Sequence, residues 1–124
     1  MPLDLLKFII FLLMQSLISC TYNNYEDLII NSDCDLSSLS FTNDIQPIFN
    51  LHCNNNMCHG GPFPQARVSL TSHARILEVV ADGRLIGTIN HNPGFNPMPI
   101  ESEKLAGCDI AKIQEWINQG SPDN

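Results

Sequence analysis

Cys53-Asn54-Asn55-Asn56-Met57-Cys58-His59 puts two thiols and an imidazole into one short segment. Two such thiols can add across the vinyl groups of haem b, and a histidine directly after the second can ligate the iron. The usual spacing of that attachment signal is C-x-x-C-H. Here four residues separate Cys53 from Cys58. Side chains three apart on a helix diverge by about 60° around the axis, and those five apart by about 140°. A continuous helix would therefore aim these thiols apart, so the insert must bulge. Asn54, Asn55 and Asn56 suit a bulge, because asparagine tolerates left-handed backbone better than most residues. Gly60 and Gly61 then let the chain leave close to a porphyrin with no Cβ in the way.

Three other uses of the same residues stay open. Cys53 and Cys58 can form a local disulfide in an oxidising compartment. Cys53, Cys58 and His59 can bind zinc with one more histidine, although adjacent Cys and His are poorly placed to chelate one ion. The two cysteines can also be free thiols.

A haem iron needs a sixth ligand or an open site. Met98 is the best-placed candidate, since it lies between Pro97 and Pro99. Proline fixes its own φ and restricts the residue before it, so the thioether sits on a stiff, non-helical backbone and can be aimed. A methionine between helices is more often core filler, but the flanking prolines argue against that here. His52, His73 and His91 are rivals. His52 abuts Cys53, His73 reads as a surface residue in a first helical turn, and His91 is close enough in the chain to serve the haem edge. Arg67 or Arg84 can pair with propionates.

The elements that must position these groups are helical. Thr42 or Asp44 can cap a first helix, and Pro47, tolerated only in a first turn, favours the later start. Ile45, Ile48, Phe49 and His52 fall at i, i+3, i+4 and i+7, an amphipathic stripe running into Cys53. Residues 60–70 read as a loop. Thr71 or Ser72 caps a second helix carrying Ile76, Leu77, Val79 and Val80, which Gly83 ends. Arg84 to Ile89 forms a short third segment, and residues 91–100 a second loop. A last helix runs from about Cys108 to Asn118, with Ile110, Ile113 and Ile117 as its buried stripe, Trp116 beside them, and Gly120 as its stop. No strand-like alternation of any length occurs, so the fold class is all-α.

The first residues read as a targeting segment. Lys7 precedes the apolar run Phe8 to Met14, which is short for a membrane-spanning helix. It ends in Leu17-Ile18-Ser19-Cys20, similar to a bacterial lipoprotein signal in which the cysteine is lipidated. The expected division is a signal peptide at 1–19, a lipidated Cys20 with an Asn-, Ser- and Asp-rich tether at 20–40, and one domain at 41–124. Such a protein would be lipid-anchored in the cell envelope, in the periplasm or at the outer membrane, and not spanning. Five cysteines is a high count for 124 residues. With Cys20 lipidated, Cys34 and Cys108 pair as a disulfide. Two free buried thiols are the alternative, which an exported setting disfavours. The formal net charge of −7 argues against nucleic-acid binding, which needs a basic face.

Phe41-Thr42-Asn43-Asp44-Ile45-Gln46-Pro47-Ile48, Cys53 to Gly60, Asn96-Pro97-Met98-Pro99, and Cys108 to Ile117 followed by Gly120 together resemble the small cytochrome c-like domains of exported bacterial lipoproteins, of Bacteroidetes or planctomycete type. The resemblance implies a small cytochrome c-like fold of three to four short helices with long loops around one haem. It implies first and last helices that cross beside a covalently bound haem c, thioether links at Cys53 and Cys58, His59 as proximal ligand and Met98 as distal ligand. The longer cysteine spacing departs from the usual pattern but also occurs in related exported domains. The expected function is electron transport in the bacterial envelope between redox protein partners, in preference to an independent enzyme. A haem-free, disulfide-stapled binding module and a peroxidase-like haem enzyme with open iron are the alternatives.

Overall fold

In the computed structural model, which describes residues 34–124, the first helical run starts at Phe41, earlier than either expected cap. Ser40 is the cap: its Oγ accepts from the Asn43 N–H, and its own N–H donates to Asp44 Oδ2 at 2.9 Å. This reciprocal arrangement satisfies donors that a helix start leaves unpaired. The first turn, Phe41–Ile45, is π-helical and passes into α1, Gln46–His52. The wide turn puts Pro47 at the start of α1, where its missing N–H costs nothing.

The remaining elements follow the apolar stripes. They are α2 (His73–Ala81), α3 (Arg84–Ile89) and α4 (Gly107–Asn118), with a short 3-10 turn at Gln65–Arg67. Gly83, at φ 75°, turns α2 directly into α3, a left-handed position that glycine takes without strain. The described residues hold no strand, and the architecture is all-α. No helix among them is long and apolar enough to cross a membrane. The expected signal peptide, the lipidated Cys20 and the tether up to residue 33 lie outside the described residues.

One core joins all four helices. Ile45, Phe49, Ile76, Ile113 and Trp116 are its fully buried side chains. Phe41 packs its ring 5.6 Å from Trp116, so the π-turn lies against α4. His73, expected at the surface, is instead wedged edge-on between these two rings, at 4.8 Å from Phe41 and 5.8 Å from Trp116. Its Nε2 donates to the Ser121 carbonyl at 2.8 Å, so it fastens residues 121–123 to the start of α2. Asn124 completes the clasp, its carbonyl accepting from the Thr42 N–H and its Oδ1 from the Phe41 N–H. The packed unit also reaches back before residue 41: Leu39 is 5% exposed and belongs to the core.

Cys34 and Cys108 are joined, with Cα atoms 5.5 Å apart, which ties the segment before the first helix to the start of α4. Closing a loop of about 75 residues stabilises by about 4 kcal/mol in the chain-entropy model. The double substitution Cys34→Ser/Cys108→Ser is expected to lower unfolding stability by about that much. Urea denaturation of the two proteins checks it; equal midpoints would show that the covalent tie contributes nothing.

Candidate functional site

The segment after α1 bulges as its spacing requires, but not through left-handed asparagines. None of Asn54, Asn55 and Asn56 has positive φ. Their side chains and carbonyls build the bulge. The Asn55 carbonyl accepts from the N–H groups of Cys58 (3.0 Å) and Gly60 (3.1 Å), and its Oδ1 accepts from the Met57 N–H at 3.0 Å. Asn54 Nδ2 donates to the Leu70 carbonyl at 2.7 Å and to Asn50 Oδ1 at 3.1 Å, fixing the bulge to α1 and to the returning chain. The glycines serve this same turn. A Cβ at Gly60 would strike the Asn54 carbonyl, and one at Gly61 would lie 2.5 Å from the Asn56 carbonyl oxygen. The two glycines thus allow close backbone contact within the loop.

The bulge presents His59 in a defined state. The His59 N–H donates to the Cys53 carbonyl at 3.1 Å, which closes the loop across both cysteines. Its Nδ1 lies 2.7 Å from the Val68 carbonyl oxygen. A carbonyl can only accept, so Nδ1 carries the proton and Nε2 is left with a lone pair. This is how metal-binding histidines are commonly oriented, with the second nitrogen held by a backbone acceptor. Val68 follows Ala66 and Arg67, whose φ values are 53° and 60°. Two consecutive non-glycine residues in the left-handed region are costly, at about 1–3 kcal/mol each. The turn they make aims the Val68 carbonyl back at His59.

Cys53, His59 and Met98 line one cavity of about 410 Å³, within the 300–1,000 Å³ common for cofactor sites. Its walls are mostly apolar, from Val68 and Leu70 on one stretch, Val79 of α2, and Leu85 and Ile89 of α3. Cys58 is not part of the lining. Cys53 and Cys58 are both free thiols in the structure. Burial, and secondarily the neighbouring Cys58, push the Cys53 thiol up to about 11, so it stays protonated at neutral pH.

Met98 is held by its backbone. Its N–H donates to the Thr88 carbonyl at 3.1 Å, and its own carbonyl accepts from His91 Nε2 at 3.1 Å. The Met98–Pro99 bond is cis. His91 thus braces the methionine loop, and it is not among the cavity's lining residues. His52 pairs with Asp109 at 3.6 Å, and His73 belongs to the clasp described above. Neither lines the cavity. Arg84 does line it, and its side chain is engaged with Asp82, Nε to Oδ2 at 2.6 Å. The Arg84 N–H, at 3.0 Å, and its guanidinium hold the Asp82 carboxyl below the usual carboxylate range. Arg67 lines a separate groove.

Two features of the site carry no signal that spacing could supply. One is the Val68 carbonyl, since any residue would provide that acceptor. The other is Phe95, which lines the cavity from within the Pro-Gly-Phe-Asn-Pro run. An aromatic among turn residues was its one visible sign. The described residues include no group of three or more His, Cys, Asp or Glu side chains suited to a metal ion. Comparison with protein-family models, with characterised proteins and with solved structures found no match for this chain.

Proposed function

We propose that this chain is a monohaem c-type electron carrier, with haem linked through Cys53 and Cys58 and ligated by His59 and Met98. The observation that carries the reading is the shared apolar cavity of Cys53, His59 and Met98, in which His59 has its Nδ1 committed to Val68. The residues that line the cavity fit the group, offering a thiol, an imidazole and a thioether beside apolar walls, while Cys58 adjoins the site from outside that lining. When bound, haem supplies a centre that takes up and releases one electron. The chain's own residues do the rest. Val68 fixes the His59 tautomer and raises its basicity as a ligand. A methionine as the second ligand favours a higher potential. The aliphatic walls exclude water and lower the local dielectric.

The lipoprotein reading of residues 1–20 makes this an anchored envelope protein that exchanges electrons with other redox proteins. With a net charge of −7, it would steer basic partners toward itself, an effect that salt weakens. The haem-free alternative expects Cys53 and Cys58 to pair with each other, which mass measurement distinguishes from attached haem.

The test is expression of the full chain in a bacterium carrying haem-attachment machinery. A mass increase of one haem that survives denaturation, with a reversible reduced-minus-oxidised spectrum, is the expected result. Protein of unmodified mass and no visible absorption would overturn the reading. The position of the pyridine haemochrome band separates two thioether links from one.

A further inference from the structure

Gly87 lies inside α3, where glycine is a poor helix former. A Cβ there would fall 2.5–2.6 Å from three ring atoms of Phe95. The Phe95 ring therefore occupies the space that any larger residue at 87 would need. Phe95 is 40% exposed and lines the cavity, so it stands at the boundary between cavity and solvent. The loop that bears it is stitched to the same turn of α3 on both sides. The Gly87 carbonyl accepts from the Asn92 N–H at 3.0 Å, and the Thr88 carbonyl accepts from the Met98 N–H at 3.1 Å. Between these two attachments, the ring packed on Gly87 adds a side-chain contact to the brace that His91 gives Met98.

We propose that Phe95, docked on Gly87, is the positioning residue that holds the Met98 loop against the cavity and limits entry from solvent. The proposal rests on the haem reading for its function, and on the Gly87–Phe95 contact for its geometry. Backbone bonds at residues 92 and 98 fix the ends of the loop. They leave its middle free to lift unless the ring is seated. Lifting the middle would open the cavity to small ligands and leave Met98 held by Thr88 and His91 alone.

The experiment compares the full-length wild type with Gly87→Ala, Phe95→Ala and the double variant. In haem-loaded protein, both single variants are expected to bind carbon monoxide in the reduced state at least tenfold faster. They should also lose most of the thioether–iron charge-transfer band of the oxidised state. The double variant should resemble Phe95→Ala alone, because the added methyl no longer has a ring to displace; contacting residues are coupled in this non-additive way. Carbon monoxide rates within twofold of wild type and an intact band in Phe95→Ala would overturn the proposal, as would strict additivity. Phe95→Ala removes a half-exposed ring, so it keeps the test valid even if Gly87→Ala fails to fold. If the wild type carries no haem, the functional reading fails, and the contact is tested separately by amide hydrogen exchange. Faster exchange at Asn92 and Met98 in haem-free Phe95→Ala would support it, and unchanged exchange would overturn it.

Discussion

His59→Ala is expected to abolish the low-spin absorption spectrum of the haem-loaded protein, while covalent attachment through the cysteines persists. The expectation follows from the committed tautomer. Nδ1 is 2.7 Å from the Val68 carbonyl, so the imidazole offers one lone pair, at Nε2. Loss of an outer-shell partner alone typically lowers metal affinity by about 10–100-fold; removing the ligand itself should exceed that. Free imidazole added to the variant is expected to restore part of the spectrum, because the space left at residue 59 opens onto the cavity. In the haem-free chain the same substitution leaves the Val68 carbonyl without its donor, at a cost of about 1–3 kcal/mol if water does not replace it. A variant with an unchanged low-spin spectrum would show that another group ligates the iron. His52 and His73 are poor substitutes, since both are engaged elsewhere.

Trp116→Ala is expected to lower stability about as much as loss of the disulfide does. Trp116 is fully buried, packs against Phe41 and His73, and donates its indole N–H to the Pro122 carbonyl at 2.9 Å. Truncating a buried tryptophan costs about 3–5 kcal/mol. A domain of this size has total stability on the order of 5–15 kcal/mol. The substitution therefore removes roughly a fifth of it at the least. It also strips the partners from Phe41 and His73, so the clasp of residues 121–124 onto the helix starts should loosen with it. The urea midpoint is expected to fall by roughly 1–3 M. A shift below 0.5 M, on the order of what an exposed site gives, would mean that the aromatic cluster is not the centre of the core.

The helices were legible because each writes its buried side into local spacing. Ile45, Ile48 and Phe49, then Ile76 and Val79, then Leu85 and Ile89, then Ile113 and Trp116, all repeat at helical intervals, and all are buried. The disulfide was legible from the cysteine count, on the expectation that Cys20 is lipidated and that Cys53 and Cys58 hold haem. Less legible was whatever depends on partners far along the chain. His73 reads as a polar residue in a first turn, and only the arrival of Ser121 and the two rings makes it interior. Ser40 is overlooked as a cap because the π-turn moves its acidic partner one residue further, to Asp44. Within the site, Cys53, His59 and Met98 share a cavity that Cys58, expected beside them, does not line. The groups that orient them are backbone carbonyls at Val68 and Thr88, and those look the same in every sequence.

The Cys34–Cys108 link has a further consequence wherever proteases act on the chain's exposed loops. Cys53, His59, Phe95 and Met98 all fall between the two bonded positions. So do the loops most open to cleavage, at 60–70 and 91–101. A single nick in either loop leaves the two fragments in one covalent piece. The cavity's walls then stay at the high effective concentration that a tethered fragment enjoys, and a cut chain can hold its shape until a reductant arrives.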